Sequence, residues 1–264
     1  MKIKNMFSVF HKSRLLILLL LHPSIFVFSQ TKDTTKTIHH FSGSVIVTNN
    51  GISLIPTFTL GKPAAILSLS MGTKKFSFEP EFRFALEGKP WSFIFWSRYK
   101  LVTTNKFSVQ VGAHPSFVFK TVNTLTNGVA KDLIIANRYL AAEFAPNYIF
   151  SKSISVGIYY LYSHGIDEDA IQNTNFLTIN ANFSNIKLTK QFLLRVSPQF
   201  YYLHQDGKGG TYLTSTFTIA RMNFPIVLQS IINKSISTDI IASKDFVWNA
   251  SVIYSFNNTY VKHR

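Results

Sequence analysis

Apolar and polar side chains alternate with a period of two through most of this sequence. The clearest example covers residues 75–85, in which every even position from 76 to 84 is Phe or Pro and every odd position except Ala85 is polar. Successive side chains of a β-strand point to opposite faces, whereas a helical period of 3.6 would mix the two sets. The pattern therefore predicts a strand with one apolar and one polar face.

The same alternation recurs along the chain between segments that contain turn residues such as Gly, Pro, Asn and Asp. Residues 41–48 are a further candidate, either a short extra strand or part of a lead-in. The predicted strands cover residues 52–60, 63–71, 75–86, 91–102, 106–120, 134–150, 154–164, 174–184, 191–203, 211–221, 224–233 and 246–256.

The composition of the polar face distinguishes a membrane barrel from a soluble β-sandwich. Only 15% of the 264 residues are charged, against about 25% in a typical soluble domain. The polar positions are mostly Ser, Thr, Asn, Gln and Tyr, and the opposite face is dominated by large apolar groups such as Phe, Ile and Val, with further Tyr. A sheet in lipid can have no open edge, because unpaired backbone groups are costly there. We therefore expect an all-β fold, a closed antiparallel transmembrane β-barrel of about twelve strands, with ten or fourteen also compatible.

The N-terminal residues have the three parts of a secretory signal peptide. A basic segment up to Arg14 precedes an apolar stretch from Leu15 to Phe28, and small residues precede Gln30. We expect cleavage after residue 29, a periplasmic lead-in over residues 30–51 that holds the possible extra strand, and a single barrel domain over residues 52–264. The absence of Cys excludes a disulfide framework and thiolate metal sites.

With its export signal, alternating strands and aromatic final strand 246–256, the chain resembles bacterial outer-membrane β-barrel proteins of the porin-like class. The resemblance implies an outer-membrane location and contact with outer-membrane lipids and lipopolysaccharide. It also implies that the outer-membrane insertion machinery reads the final strand. Eight residues follow that strand, whereas many members of the class end on the aromatic residue itself.

If both termini lie in the periplasm, counting back from the last strand assigns each connection to one side of the membrane. The shorter connections then face the periplasm and the longer ones face outside, as is usual for such barrels. Basic residues cluster beside the expected periplasmic turns, which suits either anionic head groups or ordinary turn solubility. The expected periplasmic turns are 72–74, 103–105, 151–153, 185–190 and 222–223, and the expected outer loops are 121–133, 165–173, 204–210 and 234–245.

Seven charged residues fall on the inward face and form the candidate constriction of the lumen. Charges inside a barrel are costly unless they are paired or hydrated. They therefore indicate either structural ion pairs or a water-filled passage whose selectivity they tune. The seven residues are Glu79, Glu81, Arg83, Arg98, Lys100, Glu143 and Arg195.

Two further sets of residues could support catalysis or bind a metal ion. His114 and Ser116 are similar to the His-x-Ser arrangement of outer-membrane phospholipases, but both fall on the inward side and Pro115 separates them. Residues 167–169, an Asp-Glu-Asp run, could hold a hard cation, although the EF-hand spacing is absent. The sequence otherwise contains no recognisable motif of an enzyme, a cofactor site or a metal site.

These observations favour a non-enzymatic outer-membrane barrel. The leading hypothesis is a narrow passive channel for small solutes, or a structural or accessory envelope protein. One alternative is a rim lipid hydrolase, and another is a partner-binding subunit of a larger complex, for which outward Ser97 is a weak indication. Nucleic acid is not expected as a partner, because the cations behind the net charge of +15 are dispersed and form no basic stripe.

Overall fold

Twelve antiparallel strands close into one barrel, in which each strand pairs with its neighbours in sequence and β1 pairs with β12. A computed structural model describes residues 38–126 and 129–261; the predicted signal peptide lies outside this part. The strands are β1 (Ile38–Thr48), β2 (Ala64–Gly72), β3 (Phe76–Ala85), β4 (Pro90–Thr103), β5 (Phe107–Thr126), β6 (Val129–Ile149), β7 (Ile154–Gly165), β8 (Asn173–Lys187), β9 (Phe192–Gln205), β10 (Lys208–Arg221), β11 (Ile226–Thr238) and β12 (Phe246–Val261). The predicted closed all-β architecture is confirmed.

The seam between β1 and β12 closes the ring. Its register runs without a shift from Ile38 opposite Val261 to Thr48 opposite Ser251. On the outer surface, the Phe256 ring lies over Gly43, where an added Cβ would come within 2.8 Å of a ring carbon. The first and last strands are therefore paired along the whole of β1, and the barrel has no open edge at this seam.

The period of two separates the outer surface from the interior. On β7, Ile158, Tyr160 and Tyr162 are exposed on the outside, whereas Leu161 and Ser163 are buried on the inside. The outward face of β12 carries the aromatic residues that the sequence placed there. Such an apolar outer surface suits contact with lipid chains. The helical part of the described chain is a single 3₁₀ turn, and no described helix is long and apolar enough to cross a membrane.

The first strand differs from the prediction. Residues 52–60 do not form a strand: they belong to the 49–63 segment, which contains the 3₁₀ turn Pro56–Phe58. Pro56 cannot donate a ladder hydrogen bond, and the apolar residues Leu54, Ile55 and Phe58 pack inside the barrel. The candidate at 41–48 is instead part of β1, so the barrel begins at Ile38 rather than at residue 52.

Two predicted outer loops are largely strand. The expected loop 121–133 is replaced by extensions of β5 and β6, which pair continuously from Phe107 opposite Tyr148 to Thr126 opposite Val129. The expected loop 204–210 contracts to a two-residue turn, in which Asp206 and Gly207 both have positive φ values of 44° and 83°. An Asp-Gly pair favours this tight hairpin because both positions require positive φ.

The two ends of the barrel differ in their connections. At the end where β1 begins, here called the turn end, the strands are joined through residues 73–75, 104–106, 150–153, 188–191 and 222–225. The basic residues Lys74, Lys75, Lys106, Lys152, Lys187, Lys190 and Arg221 lie in or next to these turns. At the opposite end, here called the loop end, lie the 49–63 segment and residues 166–172 and 239–245.

The interior of the loop end is packed on one side by aromatic and apolar residues. Tyr201 and Tyr212 stack with ring centroids 4.7 Å apart, and Phe176 lies 5.0 Å from Tyr201. Leu54 and Ile55 of the 49–63 segment and Ile240 of the 239–245 loop pack against this cluster. The loop end is therefore partly filled by its own connections.

Adjacent substitutions on β8 test the assignment of faces. Ile179 is outward, 57% exposed and near the middle of β8, so Ile179→Arg should lower the free energy of unfolding in lipid vesicles by about 2–4 kcal/mol. Asn180 lines an interior cavity, so Asn180→Arg should cost clearly less. Urea titration of each purified variant in vesicles measures both values. Equal costs would contradict the assignment.

Candidate functional site

A charged bridge crosses the inner wall from β4 to β6. Arg98, Gly112 and Glu143 occupy directly opposed positions on β4, β5 and β6. A Cβ at Gly112 would approach within 2.8 Å of the Glu143 Oε1 atom and 3.0 Å of the Arg98 Cγ atom. Because the middle position is Gly, Arg98 reaches over β5 and donates from Nε to Glu143 Oε1 at 2.7 Å and from Nη2 to Oε2 at 3.2 Å.

Glu143 is the most enclosed member of the bridge, since its side chain is only 1% exposed. The Tyr159 hydroxyl donates to its Oε2 atom at 2.9 Å, and Gln110 Nε2 donates to Oε1 at 3.3 Å. The Arg98 guanidinium also pairs with Glu79 through Nη1. Buried charges are tolerated when they are paired and fully hydrogen-bonded, and this carboxylate meets both conditions.

A second ion pair lies beside the bridge on β3. Arg83 donates from Nε to Glu81 Oε1 at 2.5 Å, and the Ser68 hydroxyl donates to Glu81 Oε2 at 2.8 Å. Each arginine also lies over an indole ring: Arg83 is 5.0 Å from the ring centre of Trp91, and Arg98 is 4.2 Å from that of Trp96. These stacked contacts hold both guanidinium groups in fixed orientations.

The structure brings five of the seven predicted lumen charges into these two ion-pair groups: Glu79, Glu81, Arg83, Arg98 and Glu143. Lys100 lines the cavity at the turn end instead. Arg195 is exposed, and neither of these two cations makes an ion pair with a described residue.

Three cavities follow one another through the interior. The loop-end chamber has a volume of about 620 Å³ and is bounded by the 49–63 segment, Trp96 and Arg98. The middle cavity of about 580 Å³ shares Arg83, Trp96 and Arg98 with this chamber. The turn-end cavity of about 450 Å³ shares Ser42, Ser70 and Glu79 with the middle one. The cavities thus form a series along the barrel, with the ion pairs between the first and the second.

Hydrogen bonds and ring contacts with the barrel wall hold the 49–63 segment over the loop-end chamber. The indole N–H of Trp91 donates to the Phe58 carbonyl oxygen at 2.8 Å, and the Thr57 hydroxyl donates to Gln205 Oε1 at 3.2 Å. The Phe58 ring meets Tyr139 edge to face, with centroids 5.1 Å apart. The segment therefore narrows the loop-end mouth of the barrel.

The pair considered for lipid hydrolysis lies inside the barrel. His114 and Ser116 are both buried and line the loop-end chamber. The His114 ring packs against Trp96 at a centroid distance of 4.1 Å, and its Nδ1 atom has no hydrogen-bond partner. Within the part of the chain that the structure describes, no hydrogen bond joins His114 to Ser116. The nucleophile and base geometry of acyl transfer is therefore absent from this pair.

The acidic run at residues 167–169 supports a loop contact. Asp167 accepts hydrogen bonds from the backbone N–H of Arg138 at 2.6 Å and from its Nη2 atom at 2.5 Å. These bonds to the Arg138 side chain and backbone lower the pKa of the Asp167 carboxyl. The carboxylate is thus committed to Arg138, and the described residues contain no group of three or more His, Cys, Asp or Glu side chains able to hold a metal ion.

Several residues of the site were not found from the sequence. Tyr159 and Gln110 lie on the predicted polar faces, but their contact with Glu143 depends on the register of β5, β6 and β7. The role of Gly112 becomes evident only when the strand register places it between Arg98 and Glu143. The 49–63 segment was missed because its alternating apolar residues imitate a strand, although Pro56 indicated otherwise.

No protein-family model matches the sequence, and no curated protein matches it. Among solved structures, the chain is similar to the "KdgM porin", with 12% identity, a TM-score of 0.48 and coverage of 81% of this chain and 99% of that one. The NanC porin gives 12% identity, a TM-score of 0.49 and coverage of 84% and 100%. OmpT, an outer membrane protein of Vibrio cholerae, gives 7% identity, a TM-score of 0.40 and coverage of 84% and 98%. At these values the three structures carry no argument about the activity or solute of this chain.

Removal of the bridging cation tests the energetic role of the Arg98–Glu143 bridge. Arg98→Gln leaves the Glu143 carboxylate buried without a counter-charge and should destabilise the barrel by about 3–5 kcal/mol in urea unfolding. The double variant Arg98→Gln with Glu143→Gln should recover most of this loss.

Arg138→Gln is the matched control, because the Arg138 side chain is 55% exposed and its ion pair with Asp167 lies at the surface. Its effect on stability should be small. The buried-bridge interpretation fails if Arg98→Gln costs no more than Arg138→Gln.

Proposed function

We propose that this protein is a narrow channel of the bacterial outer membrane that passes small polar solutes and that is closed at its loop end by the 49–63 segment. The observation that carries the proposal is the series of three cavities, each of which shares lining residues with the next. A barrel whose only role is structural has no need of a continuous series of cavities through its interior. Barrels of about eight strands are filled by side chains and those of 16–18 strands are open, so twelve strands suit a narrow passage.

The ion pairs divide the passage in this proposal. A solute that moves from the loop-end chamber to the middle cavity passes Arg83, Trp96 and Arg98, which line both. Because these arginines are fixed by carboxylates and indole rings, they present a rigid polar surface. Such a surface can exchange hydrogen bonds with a passing solute without a large rearrangement.

In this proposal the protein is not an enzyme. A lipid ester in the bilayer does not reach His114 or Ser116, since both side chains point into the enclosed chamber. The turn end faces the periplasm, and the outer surface contacts outer-membrane lipids and lipopolysaccharide. The final strand β12 carries the outward aromatic residues that the insertion machinery is expected to read.

Single-channel recording in planar bilayers tests the proposal. The wild-type protein should give rare, small openings, because the 49–63 segment occupies the mouth. Trp91→Phe removes the N–H that donates to the Phe58 carbonyl, and loss of one such bond should raise the ratio of open to closed times about two- to tenfold.

Trp248→Phe is the matched control, because Trp248 lies on the outer surface and is exposed. It should leave the openings unchanged. A variant in which residues 53–59 are replaced by a short Gly-Ser linker should conduct continuously. Absence of conductance in this linker variant, with the barrel folded, would rule out a channel.

A further inference from the structure

We propose that the loop-end chamber is a binding site for a small uncharged solute that carries several hydroxyl groups. The inference rests on the proposed function, because it names the class of solute that the channel would hold. The chamber volume of about 620 Å³ lies within the range of about 300–1,000 Å³ typical of small-molecule sites.

Four buried polar atoms on four strands around this chamber have no hydrogen-bond partner. They are the Ser92 hydroxyl on β4, the His114 Nδ1 atom on β5, the Tyr139 hydroxyl on β6 and the Thr178 hydroxyl on β8. Each residue is more than nine-tenths buried, and each lines the chamber. Buried polar groups in native proteins are nearly always hydrogen-bonded, so four such atoms around one cavity indicate that a bound molecule completes their bonding.

The chemistry of these atoms favours hydroxyl groups on the ligand. Serine and threonine hydroxyls both donate and accept, and a neutral histidine nitrogen does one or the other according to its tautomer. A ligand hydroxyl can meet each of these requirements, because it also donates and accepts. A ligand with several hydroxyls along its skeleton can therefore contact more than one wall.

The charge distribution disfavours an ionic ligand. Arg83 and Arg98 are the charged residues among those that line the chamber, with His114 taken as neutral. Both are already paired with carboxylates of Glu79, Glu81 and Glu143. Because these carboxylates already bind both guanidinium groups, neither arginine is free to pair with an anionic solute. No carboxylate is among the described residues that line the chamber, so a cationic solute finds no counter-charge there.

The remaining lining supplies apolar contact for a carbon skeleton. Leu54 and Phe58 of the 49–63 segment bound the chamber on the loop-end side, and Trp96 and Tyr159 contribute aromatic surface. An amphipathic solute can pack its C–H groups against these residues while its hydroxyls reach the polar wall. The 49–63 segment then forms one side of the site that it closes.

Tryptophan fluorescence of the full mature protein in detergent micelles measures binding directly. The chain has three tryptophans, and a Trp248→Phe background removes the lipid-facing one and leaves Trp91 and Trp96 near the chamber. The probes are sorbitol and maltitol as uncharged polyols, with gluconate as the anionic counterpart of sorbitol and 1,6-hexanediol as a six-carbon diol with fewer hydroxyls.

At least one polyol should give a saturable change, whereas gluconate and hexanediol should bind about tenfold or more weakly. In the same background, Ser92→Ala and Thr178→Val should each weaken polyol binding about two- to tenfold, as expected for loss of one hydrogen bond. Ser97→Ala is the control, since Ser97 lies on the same strand as Ser92 but faces outward and is exposed.

Failure of both polyols to bind would overturn the inference, as would equal effects of Ser92→Ala and Ser97→Ala. Tighter binding of gluconate than of sorbitol would overturn the uncharged class. This assay measures binding and does not depend on transport. Saturable polyol binding without conductance would therefore contradict the proposed channel function but support the proposed binding site. Conductance without polyol binding would remove the site alone.

Discussion

Closure of the backbone hydrogen-bond ladder is the constraint on which this structure depends. No water is present in the hydrocarbon core to satisfy a free strand edge, so a sheet must close on itself to span a membrane. The pairing of β1 with β12 meets this requirement over the whole length of β1. Phe256 covers Gly43 at the same seam, where a side chain on residue 43 would clash with the ring. Once the ring is closed, the period of two assigns every second side chain to lipid and the others to an enclosed interior.

One side of the barrel interior is filled by packed side chains, and the other side contains the cavities. At the loop end, the stacked Tyr201 and Tyr212 and the inward-folded connections fill one side of the lumen. Beside them run the cavities, and the Arg98–Glu143 bridge crosses the wall of the passage. The bridge depends on backbone geometry as much as on charge, because only a residue without a side chain at position 112 lets Arg98 reach Glu143. The packed side therefore makes the barrel rigid, and the other side leaves room for the cavities.

Much of this architecture follows from the sequence, because the strict alternation over β3, with Ser, Glu and Arg on its polar face, is typical of a strand and not of a helix. Most strands could be predicted in this way, and so could the interior position of six of the predicted lumen charges, which are Glu79, Glu81, Arg83, Arg98, Lys100 and Glu143. The remaining features depend on contacts between segments that the local sequence does not reveal. The apolar positions of residues 52–60 alternate like those of a strand, yet Leu54, Ile55 and Phe58 are partly buried and pack inside the barrel rather than facing lipid. The continuation of β5 and β6 beyond the expected loop start depends on pairing between two extended segments, which neither segment reveals alone.

In the candidate site, too, the local sequence predicts which side chains face inward, but the contacts between them depend on which strands pair. The charges on β3 and β4 are evident from alternation, but the partnership of Arg98 with Glu143 spans two strand registers. The strand pairing of the closed ring brings four unpartnered polar residues around one chamber, namely Ser92 on β4, His114 on β5, Tyr139 on β6 and Thr178 on β8. The 49–63 segment completes this chamber through Phe58, whose carbonyl accepts the Trp91 hydrogen bond.

Cysteine labelling on β12 tests the central claim most directly, because the native chain has no cysteine. Four single variants are made in turn and reconstituted in lipid vesicles: Val252→Cys and Tyr254→Cys on the outer surface, and Ser255→Cys and Asn257→Cys beside the middle cavity. A lipid-soluble maleimide should react with the first two, and a charged, membrane-impermeant thiol reagent should react only with the last two. Reaction of all four variants with the charged reagent would contradict a barrel whose alternate side chains face lipid and an aqueous interior.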